Sequence, residues 1–294
     1  MKRQEEITFQ SLADNEDIQI GYFDNDIMVV DSIQQFAEIS AAHVSMNAIA
    51  ICTQGKVQGI MNGQQMELHQ NQVAIIPQNI TVTDVMVSPD FDLKAMFLTN
   101  RILQSFLREK MNIWNDMMFV HRHHIVTMAE DEIIFYTHFY DMVTLAIGRG
   151  KDNPFRTDII QSLLRSAVLG LCGAMKQMLP SSEMDHDISS ANNHFQRFLD
   201  LLHSKEVKHR TVESYASDLC ISPKYLTVIC KKNSGRTANE WITEHVLEDI
   251  RYYLKQTDLS IKQICDRLGF PNPSFFGKYV KDHFGMTPLD FRNS

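Results

Sequence analysis

Two short segments of the chain place basic and small polar side chains on one face of a predicted helix. The members of these two faces are Lys224, Thr227, Val228 and Lys231 on the first segment and Ser274, Gly277, Lys278 and Lys281 on the second. Neither set includes Asp or Glu, whereas an ordinary solvated helix face mixes both signs of charge. Ammonium groups bind phosphates, and hydroxyl and ammonium groups hydrogen-bond base edges in a major groove. We therefore expect both faces to contact double-stranded DNA.

The two faces belong to a sequence pattern that occurs twice between residues 211 and 292. Each copy starts with apolar residues at i, i+3, i+4 and i+7, continues through a turn, and reaches Ser222-Pro223 or Asn272-Pro273. A side-chain oxygen followed by proline is typical of the start of a helix. Each copy thus predicts a helix, a tight turn and a second helix, with one extra residue in the second turn. Two helical hairpins that only pack together are the alternative.

The segment between the copies, residues 237–257, predicts one amphipathic helix. Thr237 with Glu240, and Ser260 with Gln263 at the start of the second copy, have the spacing of capping boxes. About eighteen helical residues would span about 27 Å. A spacer of this order could hold two recognition helices roughly one DNA turn, ~34 Å, apart.

Charge is divided unevenly along the 294 residues, whose net charge is −8. Residues 191–294 contain 15 Lys and Arg against 12 Asp and Glu, a net charge of +3, so residues 1–190 carry −11. This asymmetry is typical of a DNA-binding region attached to an acidic sensing region. We found no apolar run of 18 residues and no signal peptide pattern, so we expect a cytoplasmic protein without membrane contact. The odd count of five cysteines without CxxC spacing indicates reduced thiols, with a redox switch as the alternative.

Residues 18–99 consist of short apolar runs separated by turn signals. The predicted strands are 27–33, 47–55, 56–68 with a hairpin turn at Asn62-Gly63, 72–79, 80–87 and 91–99. They indicate a small β-barrel or jelly roll that could enclose one small ligand. Residues 1–17 are predicted to be poorly ordered or an edge segment.

Residues 101–179 are predicted to be helical, with helices at 102–111, 129–150 and 153–179. The last helix has a wide apolar stripe, which is either intramolecular core or part of a homodimer interface formed by helices within 129–179. Its members are Ile159, Ile160, Leu163, Leu164, Ala167, Val168, Leu171 and Cys172. The polar residues 181–193 predict a linker, and residues 194–294 the last domain.

The sequence offers few candidate residues for a metal site or for catalysis. His43 and His69 lie among the predicted strands, where no His-x-His pair and no nearby carboxylate completes a metal site with them. His121, His123 and His124 are so close together that at most two could share a metal, and a solvated loop is the alternative. We therefore expect no metal, no cofactor and no enzymatic activity. An enzyme with a cupin-like site and an interaction module that has lost DNA binding are the competing hypotheses.

The repeated pattern resembles the C-terminal signature of the AraC/XylS-type transcriptional regulators. The resemblance rests on LCISPKYL…KKNSG and on IKQICDRLGFPNPSFFGKYVKDHFGMTPLDFR, and it covers about 100 of the 294 residues. It implies an α+β chain of two domains. Residues 1–180 would form a cupin-like β-barrel (18–99) with dimerisation helices (101–179). Residues 194–294 would form an all-α DNA-binding domain with two helix-turn-helix motifs.

The same resemblance implies a sequence-specific transcription factor, more often an activator, that responds to a small-molecule effector and binds promoter DNA. RNA polymerase is a candidate partner, and the ligand-binding residues are not predicted. The chain departs from the family where Val246, Leu247 and Ile250 replace an arginine-leucine pair and an alanine, and where Val280 replaces a frequent phenylalanine. The predicted DNA-contacting residues are Pro223, Lys224, Tyr225, Thr227, Val228, Lys231, Lys232, Asn272, Pro273, Ser274, Phe275, Lys278 and Lys281. Because Gly277 leaves a gap, we expect the first copy to supply more base discrimination and the second more anchoring.

Overall fold

The computed structural model describes residues 5–15, 18–33, 41–61, 63–120, 124–148, 153–178, 190–203 and 211–294. The chain divides into two units, Met1–Ser181 and Ser182–Ser294, which are described separately. The first unit combines strands with helices and the second is helical, so the α+β class predicted from the sequence is confirmed. Most of the predicted linker, residues 181–189, lies outside the described residues, as do His121 and His123.

The strands of the first unit form two sheets. They are β1 (Glu5–Ile7), β2 (Ile18–Phe23), β3 (Ile27–Ile33), β4 (Ala41–Val44), β5 (Asn47–Gln54), β6 (Lys56–Met61), β7 (Gln64–His69), β8 (Gln72–Ile76), β9 (Ile80–Val87), β10 (Asp92–Leu98) and β11 (Ile125–Thr127). One sheet has the order β1-β4-β9-β6-β7 and the other β11-β8-β5-β10-β3-β2. Neighbouring strands are antiparallel, apart from the parallel pair of β1 and β4.

The described strands do not close into a barrel, so the closed cupin-like barrel predicted from the sequence is wrong. Each sheet keeps two edge strands instead, and the inner faces of the two sheets share one apolar core. At one edge, β7 exposes Gln64, Gln65 and Glu67, and such polar and charged side chains let a strand remain unpaired in water. At the opposite edge of that sheet, β1 has only three residues and offers a short pairing surface.

Most of the predicted strands are present, with ends shifted by a few residues. The predicted hairpin joins β6 to β7, with Met61 opposite Gln64 and Gly63 at a φ of 82°. The sequence did not predict β1, β2, β4 or β11. Residues 5–7 pair with β4 at a sheet edge, which agrees with the expectation that the N-terminal segment is an edge segment.

The helices of the first unit follow β10, apart from the short α1 (Phe9–Ala13). They are α2 (Asn100–Leu107), α3 (Met111–Asn115), α4 (Glu130–Gly148) and α5 (Arg156–Met178), and β11 lies between α3 and α4 in the chain. The predicted single helix over 102–111 is interrupted by a 3₁₀ turn at Arg108–Lys110. By length and composition Arg156–Gln177 could cross a membrane. However, Ile160, Leu164, Val168 and Leu171 are buried in this unit at helical spacing, as in an ordinary core helix.

The second unit consists of helices within its described residues. They are α6 (Ser190–His203), α7 (Val212–Asp218), α8 (Pro223–Ser234), α9 (Ala238–Gln256), α10 (Ile261–Leu268), α11 (Pro273–Phe284) and α12 (Pro288–Asn293). Because α6 begins at Ser190, the predicted linker is shorter than 181–193. The long helix α9 packs against α7 and α8 and also against α10 and α12. Near the C-terminal end of α9, Arg292 of α12 donates to the carbonyl oxygens of Leu254 (3.2 Å) and Leu259 (2.6 Å). These bonds hold α12 against α9.

Candidate nucleic-acid interface

Helices α8 and α11 begin and end with the same local chemistry. The Ser222 Oγ accepts a hydrogen bond from the Tyr225 N–H (3.2 Å), and the Asn272 Oδ1 accepts one from the Phe275 N–H (2.8 Å). Proline follows each cap at the first helical position, where its missing N–H leaves no bond unmade. Gly235 and Gly285 end the two helices with φ of 73° and 75°. The sequence thus makes both helices twelve residues long.

The turns that precede α8 and α11 also share one hydrogen-bonding arrangement. Cys220 and Gly269 occupy the left-handed region with φ of 56° and 77°. The next N–H then bonds back to the preceding helix, from Ile221 to the Ala216 carbonyl (2.9 Å) and from Phe270 to the Cys265 carbonyl (3.0 Å). Each turn therefore joins the end of one helix to the start of the next, in the order helix, turn and helix that the repeated pattern predicts.

The inner faces of α8 and α11 hold them in the core. Leu226, Ile229 and Cys230 are buried on α8, as are Phe276 and Val280 on α11. Burial raises the pKa of the Cys230 thiol to about 12, so it stays protonated at neutral pH and acts as a small apolar side chain. These contacts fix which side of each helix faces outward.

The structure leaves nearly all of the predicted contact residues on the outer surface. Exposed are Lys224, Tyr225, Val228, Lys231 and Lys232 on α8, and Asn272, Pro273, Ser274, Phe275, Lys278 and Lys281 at or on α11. Pro223 and Thr227 are half-buried. The Thr227 Oγ1 donates to the Pro223 carbonyl (3.1 Å), so its hydroxyl keeps only acceptor capacity for an outside group. A Cβ on Gly277 would meet no atom within 4 Å, so the face of α11 is open at this position.

The lysines of α8 and α11 are available to an external anion. None of the ion pairs formed among the described residues includes one of these lysines. One acid does lie beside them, because Asp282 is exposed one residue after Lys281 and one turn after Lys278. The two sets of face residues contain no Asp or Glu, but Lys231 of α8 interacts electrostatically with Glu240 of α9, whereas Lys278 and Lys281 have Asp282 beside them on α11 itself. The difference leaves α8 with the stronger net positive charge.

The spacer between the two helix pairs begins with the predicted capping box. The Thr237 Oγ1 accepts from the Glu240 N–H (3.2 Å), and the Glu240 carboxylate accepts from the Thr237 N–H (2.6 Å). These bonds hold the pKa of Glu240 below its ordinary value. At 1.5 Å per residue, the 19 residues of α9 span about 28 Å. The side chains of Val246 and Ile250 are buried, so the departures from the family pattern preserve the apolar face.

Sequence reasoning overlooked a buried arginine directly after α8. Arg236 pairs with the Glu244 carboxylate and lies 4.3 Å from the centre of the Trp241 ring. The Trp241 Nε1 donates to the Ser234 Oγ (2.8 Å), which ties the end of α8 to α9. Burial lowers the pKa of Arg236 to about 10. The acids Glu240 and Glu244 at i+4 and i+8 were the available signal that this arginine serves the fold rather than DNA.

A second residue that sequence reasoning overlooked orients a predicted contact residue. The His194 ring on α6 packs edge-to-face on Tyr225, with 6.4 Å between ring centres. This contact holds the exposed Tyr225 at the start of α8. In the described part of the chain, no three His, Cys, Asp or Glu side chains are grouped as a metal site would require.

A family model described as a helix-turn-helix domain matches residues 215–294, which contain both helix pairs except the start of α7. This domain is of the AraC/XylS type. The AraC/XylS-type domain is similar to curated relatives that regulate transcription and are not enzymes, in agreement with the sequence prediction. The Msm operon regulatory protein of Streptococcus mutans is 26% identical over 136 residues, 46% of this chain and 49% of the relative. The lactose operon transcription activator of Staphylococcus xylosus is 26% identical over 106 residues, 36% of this chain and 38% of the relative.

The alignments thus span about half the length, or less, of the curated relatives that the chain matches. Among solved structures, an AraC-type DNA-binding domain protein from Chromobacterium violaceum is 23% identical, with a TM-score of 0.30, and covers 35% of this chain and 92% of its own. Unsaturated fatty acid-bound ToxT from Vibrio cholerae is 13% identical, with a TM-score of 0.35, and covers 92% of this chain and 95% of its own.

Proposed function

We propose that this protein is a sequence-specific transcription factor that binds promoter DNA through α8 and α11. The two helix pairs would act as helix-turn-helix motifs, with α8 and α11 in successive major grooves. Lysines would neutralise phosphates, while Thr227, Val228 and Ser274 would contact base edges and thymine methyl groups. A spacer of about 28 Å plus the width of the packed helices suits the ~34 Å between successive major grooves on one side of DNA.

One observation carries this proposal: the five lysines of α8 and α11 are all exposed on helices held by matching caps and turns, and no ion pair among the described residues includes them. Lysines on a purely structural surface helix are commonly paired with acids at i+3 or i+4. Here the acids beside the lysines are Asp282, at i+4 from Lys278 on the edge of α11, and Glu240 of α9, which interacts electrostatically with Lys231. A set of exposed ammonium groups that form no ion pair among the described residues, on two matching helices, fits a polyanion such as the DNA backbone.

The direct test is DNA binding by the full chain. A duplex selected from a random library is labelled, and its affinity is measured by fluorescence anisotropy for the wild type, Lys224→Ala and Lys278→Ala. We expect each variant to weaken binding by roughly fivefold to a hundredfold at physiological salt, the range for loss of one charged contact.

Lys56→Ala is the matched control, because Lys56 is exposed in the first unit and pairs with Glu67 there. The control should bind the duplex as the wild type does. Unchanged affinity for both Lys224→Ala and Lys278→Ala would exclude these faces as the DNA interface.

We further propose that the protein is a homodimer formed through the outer faces of α4 and α5. These faces expose large apolar side chains, which monomers seldom leave in contact with water. They are Ile134, Phe135, Met142, Leu145, Phe155, Ile159 and Leu169. The inner face of α5 packs in the intramolecular core, and its outer face would form the homodimer interface. Both interpretations of the apolar stripe would then apply, one to each side of the helix.

Sedimentation equilibrium of the full chain tests the dimer. Phe135→Asp and Leu145→Asp should shift the mass toward the monomer, because each places a charge in an apolar interface. Asp158→Ala on α5 is a neutral control. A wild type that remains monomeric at micromolar concentration would contradict the proposal.

The remaining assignments follow from this function. Its partners would be promoter DNA, a small-molecule effector and, if it is an activator as in the Staphylococcus xylosus relative, RNA polymerase. A cytoplasmic location fits a DNA-binding protein with five free thiols. The strand order around the core between the two sheets would be cupin-like, although the strands do not close into a barrel.

A further inference from the structure

The six-stranded sheet has a second apolar face, turned away from the core between the sheets. Val29, Ile49, Ile51 and Val73 contribute to it from β3, β5 and β8. Helices α4 and α5 cover this face, but the cover is incomplete and leaves a cavity of about 340 Å³. Cavities of this size fall in the range that takes small organic ligands. The space between the two sheets is only about 110 Å³ and is lined almost entirely by apolar residues.

Lys94 on β10 lines this cavity and lacks an anionic partner among the described residues. Its Nζ lies 3.2 Å from the Asp31 carbonyl oxygen and 4.1 Å from the centre of the Tyr140 ring. In the described part of the chain these are its polar partners, so one acceptor serves three N–H donors. A half-buried ammonium against apolar walls is costly unless an anion compensates it.

Three other polar side chains of the cavity are already hydrogen-bonded within the protein. The Tyr140 hydroxyl donates to the Asp31 carboxylate, and burial together with this carboxylate raises the pKa of Tyr140. The Thr53 Oγ1 lies 3.0 Å from the Asp92 carbonyl, and the Thr137 Oγ1 donates to the Ile133 carbonyl (2.8 Å). Lys94, together with the hydroxyl of Tyr136, which also lines the cavity, therefore offers donors to a ligand.

The charges around the cavity also limit the ligand. Asp141 lines the cavity and is itself exposed, so it would repel a molecule with several negative charges. One negative group on an apolar body satisfies both Lys94 and the walls. At about 30 Å³ per water-sized unit, the volume suits a molecule with on the order of ten non-hydrogen atoms.

We propose that this cavity is the effector site and that it binds a small organic monoanion with an apolar body. The effector role rests on the proposed function, whereas the binding itself does not. Helices α4 and α5 line the cavity with one side and expose the apolar dimer surface on the other. Filling the cavity would therefore act on the two helices that form the dimer.

The test uses octanoate, with about ten non-hydrogen atoms, and the uncharged 1-octanol, each titrated calorimetrically into the full-length protein. Octanoate should bind saturably. Lys94→Met, which keeps an unbranched side chain one atom shorter and removes its charge, should weaken octanoate binding about tenfold or more and leave 1-octanol binding unchanged. Lys56→Met is the matched control and should bind octanoate as the wild type does.

Ala167→Leu places a larger side chain in the cavity from α5 and should weaken both ligands, which keeps the test decisive if one variant folds poorly. No octanoate binding by the wild type, or equal binding by Lys94→Met, would overturn the proposal; equal binding would point to the exposed apolar surface. DNA affinity is measured on the same samples. Failure of the proposed function appears there as absent DNA binding, independently of the octanoate result.

Discussion

At the scale of single residues, the two helix pairs differ in the residue that makes the turn. Gly269 adopts the left-handed conformation without cost, but Cys220 adopts it with a side chain, at a φ of 56°. A non-glycine residue in this region stores roughly 1 kcal/mol or more of strain. The Cys220 side chain is exposed and contributes little packing in return.

We predict that Cys220→Gly stabilises the second unit by about 1 kcal/mol, because relief of the left-handed strain exceeds the greater freedom of glycine in the unfolded chain. Urea unfolding followed by tryptophan fluorescence measures the change, since Trp241 lies in this unit. Cys220→Ala is the control and should not stabilise. Equal stability of all three proteins would show that the turn is unstrained.

Gly277 gives a second prediction at this scale. It lies within α11, and a Cβ added there would have no atom within 4 Å, so Gly277→Ala should raise stability by up to about 1 kcal/mol through helix propensity. The same change should weaken DNA binding, because the missing side chain lets the helix backbone approach the groove closely.

Gly173→Ala is the matched control, because Gly173 is an equally open glycine within α5. It should add similar stability and leave DNA affinity unchanged. If Gly277→Ala binds DNA as tightly as the wild type, the backbone of α11 does not approach the groove at this position.

At the scale of elements, the sequence specifies helix ends better than sheet pairing. Ser222, Asn272, Thr237 and Ser260 all cap the helices for which they were predicted, because a cap depends on neighbours within three or four residues. The strand β4 and the absence of barrel closure were not predicted. They depend on pairing between segments distant in sequence, which alternation of apolar residues does not specify.

The capping box of α9 predicts an acid dependence of stability. Hydrogen bonds from Thr237 lower the pKa of Glu240 below 4.5, so the unfolded chain takes up this proton first as the pH falls. The stabilisation is therefore complete above about pH 5 and is lost as the pH falls through the lowered pKa.

Glu240→Gln should lose less stability than the wild type between pH 6 and about pH 3, because glutamine has no proton to bind there. Denaturant unfolding at both pH values measures the difference. Glu213→Gln provides a comparison at an exposed acid whose pKa is lowered by its own backbone and Thr211. A Glu240→Gln variant with the acid dependence of the wild type would contradict this role.

The two recognition helices should divide the work of DNA binding. We predict that Thr227→Ala and Val228→Ala on α8 change which bases are preferred, whereas Lys278→Ala and Lys281→Ala on α11 lower affinity evenly across sequences. Each lysine variant should also reduce the slope of log affinity against log salt by about one. The measurement is the affinity of each variant for a panel of duplex variants at several salt concentrations. If the α11 lysine variants changed base preference more than the α8 variants did, this assignment would be reversed.

At the scale of the whole molecule, charge and apolar surface assign different roles to the two parts of the chain. Residues 1–190 carry a net charge of −11 and residues 191–294 a net charge of +3, and the lysines proposed to bind DNA lie in the AraC/XylS-type domain. The sequence predicted this domain and the exposed faces of α8 and α11, because helical periodicity and caps are local. The cavity beside Lys94 could not be predicted, because β3, β5, β8 and β10 meet α4 and α5 only in the fold.

The central claim is that α8 and α11 of one chain occupy successive major grooves. Methylation protection of guanine N7 on a selected duplex tests it most directly, because N7 lies in the major groove. We predict two protected patches about 10 base pairs apart on one side of the DNA for each bound chain. Lys224→Ala should weaken one patch first and Lys278→Ala the other. A single patch per chain, or protection that both variants leave intact, would contradict the claim.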